Sequence, residues 1–141
     1  MQEIELLQYV HETAQMGIIG LQDVMGRIHD QKLKRSVQSQ IDEYRTIGEQ
    51  SARLLRTKGK TAKEPSWMAR VSSRMMSSMQ TLADSSTSHI AEMVIRGNQM
   101  GITQGLKHLH DYEGHDTKAR AIAERLLSTE QTNLEQMKPF L

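Results

Sequence analysis

The sequence predicts an all-α protein, a four-helix bundle made of two long helical hairpins. Three observations predict it: apolar residues recur at helical 3-then-4 spacing, β-branched residues never alternate over a strand-length run, and the only prolines are Pro65 and Pro139. The 141 residues suffice for one domain with a real core and leave little room for a second.

In the first helix Ile4, Leu7, His11, Ala14, Ile18, Leu21, Met25 and Ile28 fall on one stripe, and His29-Asp30 marks the turn that follows. The second stripe is Leu33, Val37, Ile41, Tyr44, Gly48, Ser51 and Leu55. It ends before the basic stretch 58–63 and Pro65. Each helix has roughly 26 residues and spans about 40 Å, and a short turn between them makes antiparallel neighbours. Residues 57–65 are polar and carry both Gly59 and Pro65, so they are expected to form the long connection between hairpins.

A third stripe starts with Trp67, Val71, Met75, Met79 and Leu82, meets poor helix formers at 84–88, where a break or kink is expected, and continues through Ile90, Val94, Gly101, Gly105 and Leu109. A turn near Gly114-His115-Asp116 leads to the last stripe, Ala119, Ala123, Leu127, Glu130, Leu134, Met137 and Leu141. A glutamate therefore stands inside an apolar row. The expected organisation is a single domain over 1–141, with hairpin one at about 1–56, the connection at 57–65 and hairpin two at 66–141.

The halves resemble each other. Gln15-Met16-Gly17-Ile18 recurs as Gln99-Met100-Gly101-Ile102, and His29-Asp30 recurs two residues further out of phase as His115-Asp116. The agreement of these offsets with the helix stripes points to an internal duplication with a crossover between its copies and a pseudo-twofold axis.

Composition excludes several classes. Eighteen basic against seventeen acidic residues give a net charge of +1, so neither nucleic acid nor an anionic membrane is indicated as a partner. The local basic segment Arg53, Arg56, Lys58, Lys60 and Lys63 lacks aromatics for base stacking and reads as a solvated loop. Without cysteine there is no disulfide framework, thiolate nucleophile or thiolate metal site. The acidic start and the shortness of the apolar run at 16–21 predict neither a signal peptide nor a transmembrane segment, and a cytoplasmic location is expected.

Individual polar residues carry little chemistry by themselves. His108, His110, Asp111, Glu113, His115 and Asp116 crowd the third turn, but His108 and His110 do not share a helix face, and solvated turn residues explain them. His11 reads as a hydrogen-bonded core or interface histidine, since a catalytic base also needs a partner and a cleft. No serine, histidine and acid set has the spacing of a triad. Ten methionines are many. Six of them, Met68, Met75, Met76, Met79, Met93 and Met100, cluster on the expected third helix, and the apolar arc from Trp67 to Met79 is expected to serve a homodimer interface.

The hairpin lengths, the connection, the segment Ser66-Trp67-Met68-Ala69-Arg70 and the segment from Ile90 through Glu92, Arg96 and Asn98 to Gln99 together resemble the ferritin-like superfamily. The likeness is to its small bacterial members built from two hairpins. It implies a dimetal ligand set of one glutamate on each of two helices and a Glu-x-x-His pair on each of the others. Carried onto this chain, the single positions fall on Gln15 and Gln99, and the pairs on Glu43 with Thr46 and Glu130 with Asn133. Two of six ligands survive. The helix-two stripe by itself puts Tyr44 opposite Glu130 instead, which leaves one carboxylate.

Two carboxylates are too few to neutralise two divalent ions, so the site is expected to be vestigial, closed by hydrogen bonds among Gln15, Gln99, Glu130 and Asn133. No cofactor and no catalysis are then expected. The resulting reading is a structural or protein-interaction bundle, which the resemblance associates with stress or spore physiology. Two other readings stay open. One is a metal-binding or iron-handling protein, with iron or another divalent metal at an atypical site using Glu43, Glu130 and nearby histidines, where ferroxidase activity would return. The other is a small-ligand or sensing bundle with space beside Gly97, Gly101 and Gly105.

Overall fold

The computed structural model describes residues 1–63 and 86–141, which form four helices. They are α1 (Glu3–Met25), α2 (Gln31–Thr57), α3 (Thr87–Asp111) and α4 (Thr117–Met137), with a closing 3-10 turn at Lys138–Phe140. No strand occurs among the described residues. The stretch 64–85, including Trp67, Val71, Met75, Met79 and Leu82, lies outside the described residues, and so does the expected dimer surface from Trp67 to Met79.

Local chemistry sets the helix ends. The Asp30 side chain accepts from the Leu33 amide at 2.9 Å, Ser86 accepts from His89, and Asp116 accepts from Lys118 and Ala119, so α2, α3 and α4 each start on an oxygen-bearing N-cap. At the far end of α2, Gly59 takes φ +72°, and the amides of Lys60 and Gly59 bond back to the carbonyls of Leu55 and Arg56. This paired closure uses the left-handed conformation that glycine adopts without a Cβ penalty. The break expected at 84–88 is in α3 a capped helix start at Ser86.

The chain after α2 returns along α1, where Gln8 donates to the Thr61 carbonyl and accepts from the Lys63 amide. Lys58 reaches Asp116 at 2.6 Å, and the Glu113 amide bonds the Met1 carbonyl. The start of α1, the end of α2, the end of α3 and the start of α4 thus share one end of the bundle. It follows that α2 and α3 run the same way, with the end of α2 and the start of α3 at opposite ends of the bundle. The order is up, down, down, up.

Within each hairpin the two helices pack along their length, and α4 is the helix that also packs on both α1 and α2. By contrast α3 touches α1 sparsely. The arrangement therefore departs from the pseudo-twofold expected from the repeat. The core runs through Leu6, Leu7 and Val10 on α1, Leu33, Val37, Ile41 and Ile47 on α2, Ile90 and Ala91 on α3, and Leu126 and Met137 on α4.

Burial itself follows the internal repeat. Leu6, Leu7, Val10, Ala14 and Leu21 correspond in sequence offset to Ile90, Ala91, Val94, Asn98 and Gly105, and all ten are buried. With the second offset, Leu33, Val37, Tyr44, Ile47 and Ser51 correspond to Ala119, Ala123, Glu130, Asn133 and Met137, again all buried. The two hairpins share one interior register. They differ in what fills it: where hairpin one has Ala14, Tyr44 and Ile47, hairpin two has Asn98, Glu130 and Asn133.

Candidate functional site

The polar residues of hairpin two form the middle layer of the bundle. Glu130 is 2 % exposed and is the one fully buried carboxylate among the described residues. Its carboxyl group lies directly against the backbone of Gly101, where a Cβ would overlap it. The corresponding glycine of hairpin one, Gly17, receives the Tyr44 ring, whose carbons would lie 2.7–2.9 Å from a Cβ there. Each hairpin thus uses a glycine on its first helix to seat one large side chain of its second. In one that side chain is a phenol, in the other an acid.

Burial governs the titration of this layer. Loss of water raises the Glu130 carboxyl to about 8, from an ordinary value of 4.5, so at neutral pH it is held mainly as the neutral acid. The phenol of Tyr9 is pushed up to about 12, first by burial and then by the nearby Glu130 charge, with Thr13 acting in the opposite direction. Burial and Glu130 likewise raise Tyr44, whose hydroxyl interacts with the Asn133 side chain. Oε1 of Glu130, Nδ2 of Asn98 and Nδ2 of Asn133 have no hydrogen-bond partner among the described residues. Tyr9 also stacks flat on His108, ring centroids 3.7 Å apart, while Nδ1 of His108 lies 2.7 Å from the Gln104 carbonyl. A carbonyl only accepts, so Nδ1 carries the hydrogen.

The ligand positions carried over from the resemblance do not converge. Gln99 is exposed, and its neighbour Asn98 is the residue that turns inward. Gln15 is half-buried with Nε2 against Gly48, on the α1 and α2 side. Glu43 faces outward between α2 and α4, where Arg125 donates to it from Nε at 2.9 Å and to Gln50 from Nη1 at 3.0 Å. Thr46 bonds the Asp42 carbonyl on its own helix. Only Glu130 and Asn133 stand in the interior, with Tyr44 as the helix-two residue beside them. The expected hydrogen-bond closure among Gln15, Gln99, Glu130 and Asn133 is therefore not formed. The register of helix three explains it: aligning Gln99 on Gln15 follows the repeat, but neither glutamine is on the inward row.

The donor set does not fit a dimetal centre, because one acid flanked by phenols, amides and glycine backbone cannot balance two divalent ions. The atypical set of Glu43, Glu130 and nearby histidines is likewise not assembled, since Glu43 is taken by Arg125 on the outside. No group of three or more histidine and acidic side chains is placed to hold a metal among the described residues. In the third turn His110, Asp111, Glu113 and His115 are exposed, while Asp116 is engaged as a cap and with Lys58. His11 is half-buried on α1.

The glycine row does not outline one ligand space. Gly97 has open surroundings, Gly101 seats Glu130, and Gly105 lies under Leu127 and the Tyr9 hydroxyl. What sequence reading missed is Asn98 and the Tyr9 to His108 stack; the burial repeat is the signal that could have found Asn98, since it aligns with Ala14. Among the described residues no helix is long and apolar enough to cross a membrane.

Neither a search of curated proteins nor one of solved structures returns a match. A family model does match, over residues 2–111, a span that ends with α3 and leaves α4, with Glu130 and Asn133, outside it. The chain belongs to the family described as Domain of unknown function (DUF2383).

Proposed function

We propose that this chain is a ferritin-like bundle without two-metal chemistry, acting as a structural or protein-interaction module in the cytoplasm. The up, down, down, up order supports the ferritin-like part. The observation that carries the rest is the Glu130 seat: the middle of the bundle, where such folds gather acids and histidines, holds one neutral acid against Gly101. An oxidative iron site needs an open, anionic pocket there. This interior offers neither the charge nor the space.

The test is iron loading of untagged protein under anaerobic conditions, followed by oxygen exposure. Iron well below one per chain after desalting, with no oxidation rate above that of free ferrous ion, is expected. Near two irons per chain would overturn the reading and make Glu130 the first residue to replace.

The interaction part rests on the apolar arc between Trp67 and Met79 as a sequence feature. A homodimer through that arc is expected to give twice the 16.1 kDa chain mass by light scattering. Changing Met75 and Met79 together to glutamate should return the mass to that of one chain. A wild-type monomer at high concentration would refute self-association.

A further inference from the structure

We propose that the outward face of α3 is a contact surface for a second copy of this chain, packed antiparallel about a two-fold axis at Met100. Met100 is 64 % exposed, and Met93, Gly97, Gln104 and Lys107 share its face at helical spacing. The internal repeat shows that this exposure belongs to hairpin two alone. Met100 corresponds to Met16 and Gln104 to Gly20, yet α1 has no exposed residue from position 6 to position 21, whereas most of α3 from position 96 to position 111 is exposed. The helix packs along α4 and touches α1 sparsely, so its outer side is left uncovered.

Charge selects the occupant and its direction. In a parallel pair Glu92, Arg96 and Lys107 would each meet their own counterpart, like charge against like. Turning one copy end over end about Met100 instead sets Glu92 opposite Lys107 and His110 of the other copy, Asp111 opposite His89, and Arg96 opposite the neutral Gln104. Glu92 already accepts from Arg96 of its own helix, and a carboxylate keeps acceptor sites for a second cation. Met93 then runs along the alkyl stem of the other copy's Lys107, and the two Met100 side chains meet at the axis. Gly97, where a Cβ would have nothing within 4 Å, lets the two backbones approach. A face that complements itself in this way is what an isologous contact requires. The contact is separate from the arc between Trp67 and Met79, and one helix pair makes a small interface.

The chain has no cysteine, so single-cysteine variants of the full chain report the contact directly. Met75→Glu and Met79→Glu are carried in the background to remove association through the other arc. Under dissolved oxygen, Met100→Cys should give a disulfide-linked species of twice the chain mass about tenfold faster, or more, than Leu106→Cys, whose exposed position lies about 120° round the helix. Gly97→Trp blocks the approach of the second copy without touching the chain's own packing, and it should slow the Met100→Cys reaction about tenfold or more. Glu92→Lys should slow it similarly, and adding Lys107→Glu should restore it. Equal rates at positions 100 and 106, a rate indifferent to Gly97→Trp, or no rescue by the charge exchange would each overturn the proposal. If the double-glutamate background loses cooperative melting, the same comparisons in the otherwise wild-type chain decide.

Discussion

In a Glu130→Gln variant, the loss of stability that the wild-type acid imposes as pH rises from about 5 to about 8 should vanish. The folded chain holds the Glu130 proton up to about 8, whereas an unfolded chain releases it near 4.5. Below the lower value both states are protonated and the residue contributes no pH dependence. Between the two values only the unfolded state gives up its proton, so unfolding becomes progressively easier. Above the upper value both are ionised, and the full penalty of a buried charge is present. Its size is on the order of 5 kcal/mol, which for a domain of this length is roughly 15 °C in Tm.

The variant should therefore melt close to the wild type at pH 5 and well above it at pH 8.5, with the difference growing monotonically between. Denaturant titrations at four or five pH values measure it directly. Parallel pH profiles for the two proteins would mean that the Glu130 carboxyl is solvated in the native state, contrary to its burial beside Gly101.

A methyl group at position 101 should be the most disruptive small change in the bundle. Alanine ordinarily stabilises a helix interior by about 1 kcal/mol relative to glycine, and Gly97, with nothing near its missing Cβ, should show that gain. At Gly101 the same atom would overlap the Glu130 carboxyl, which is buried and must shift to admit it. Overpacking of this kind costs roughly 1–3 kcal/mol, so Gly97→Ala and Gly101→Ala should move stability in opposite directions. The double variant Gly101→Ala with Glu130→Ala should recover much of the loss, since the methyl then enters space the acid has left. Chemical denaturation of Gly101→Ala, Glu130→Ala and the double variant gives the coupling. Strict additivity of the two single changes would show that α3 and α4 do not meet at this seat.

The chain's own pattern determined the fold class, the four helices and the inward row of α2, where every residue from Leu33 through Tyr44 to Leu55 on the expected stripe is buried. These are local matters: periodicity selects a helix face, and Asp30, Gly59 and Asp116 set termini through bonds within a few residues. The repeat was equally legible, and burial follows it across both hairpins. Tertiary structure decided which of two adjacent residues on α3 turns inward, Asn98 rather than Gln99, because that choice depends on how α3 rotates against α4 and not on spacing along α3. It also decided the partners. Arg125 took Glu43 to the surface, and the absence of a Cβ at Gly101 let Glu130 close the centre as a neutral acid. A one-residue rotation changes a helix face by about 100°, and only packing against neighbouring helices fixes that angle.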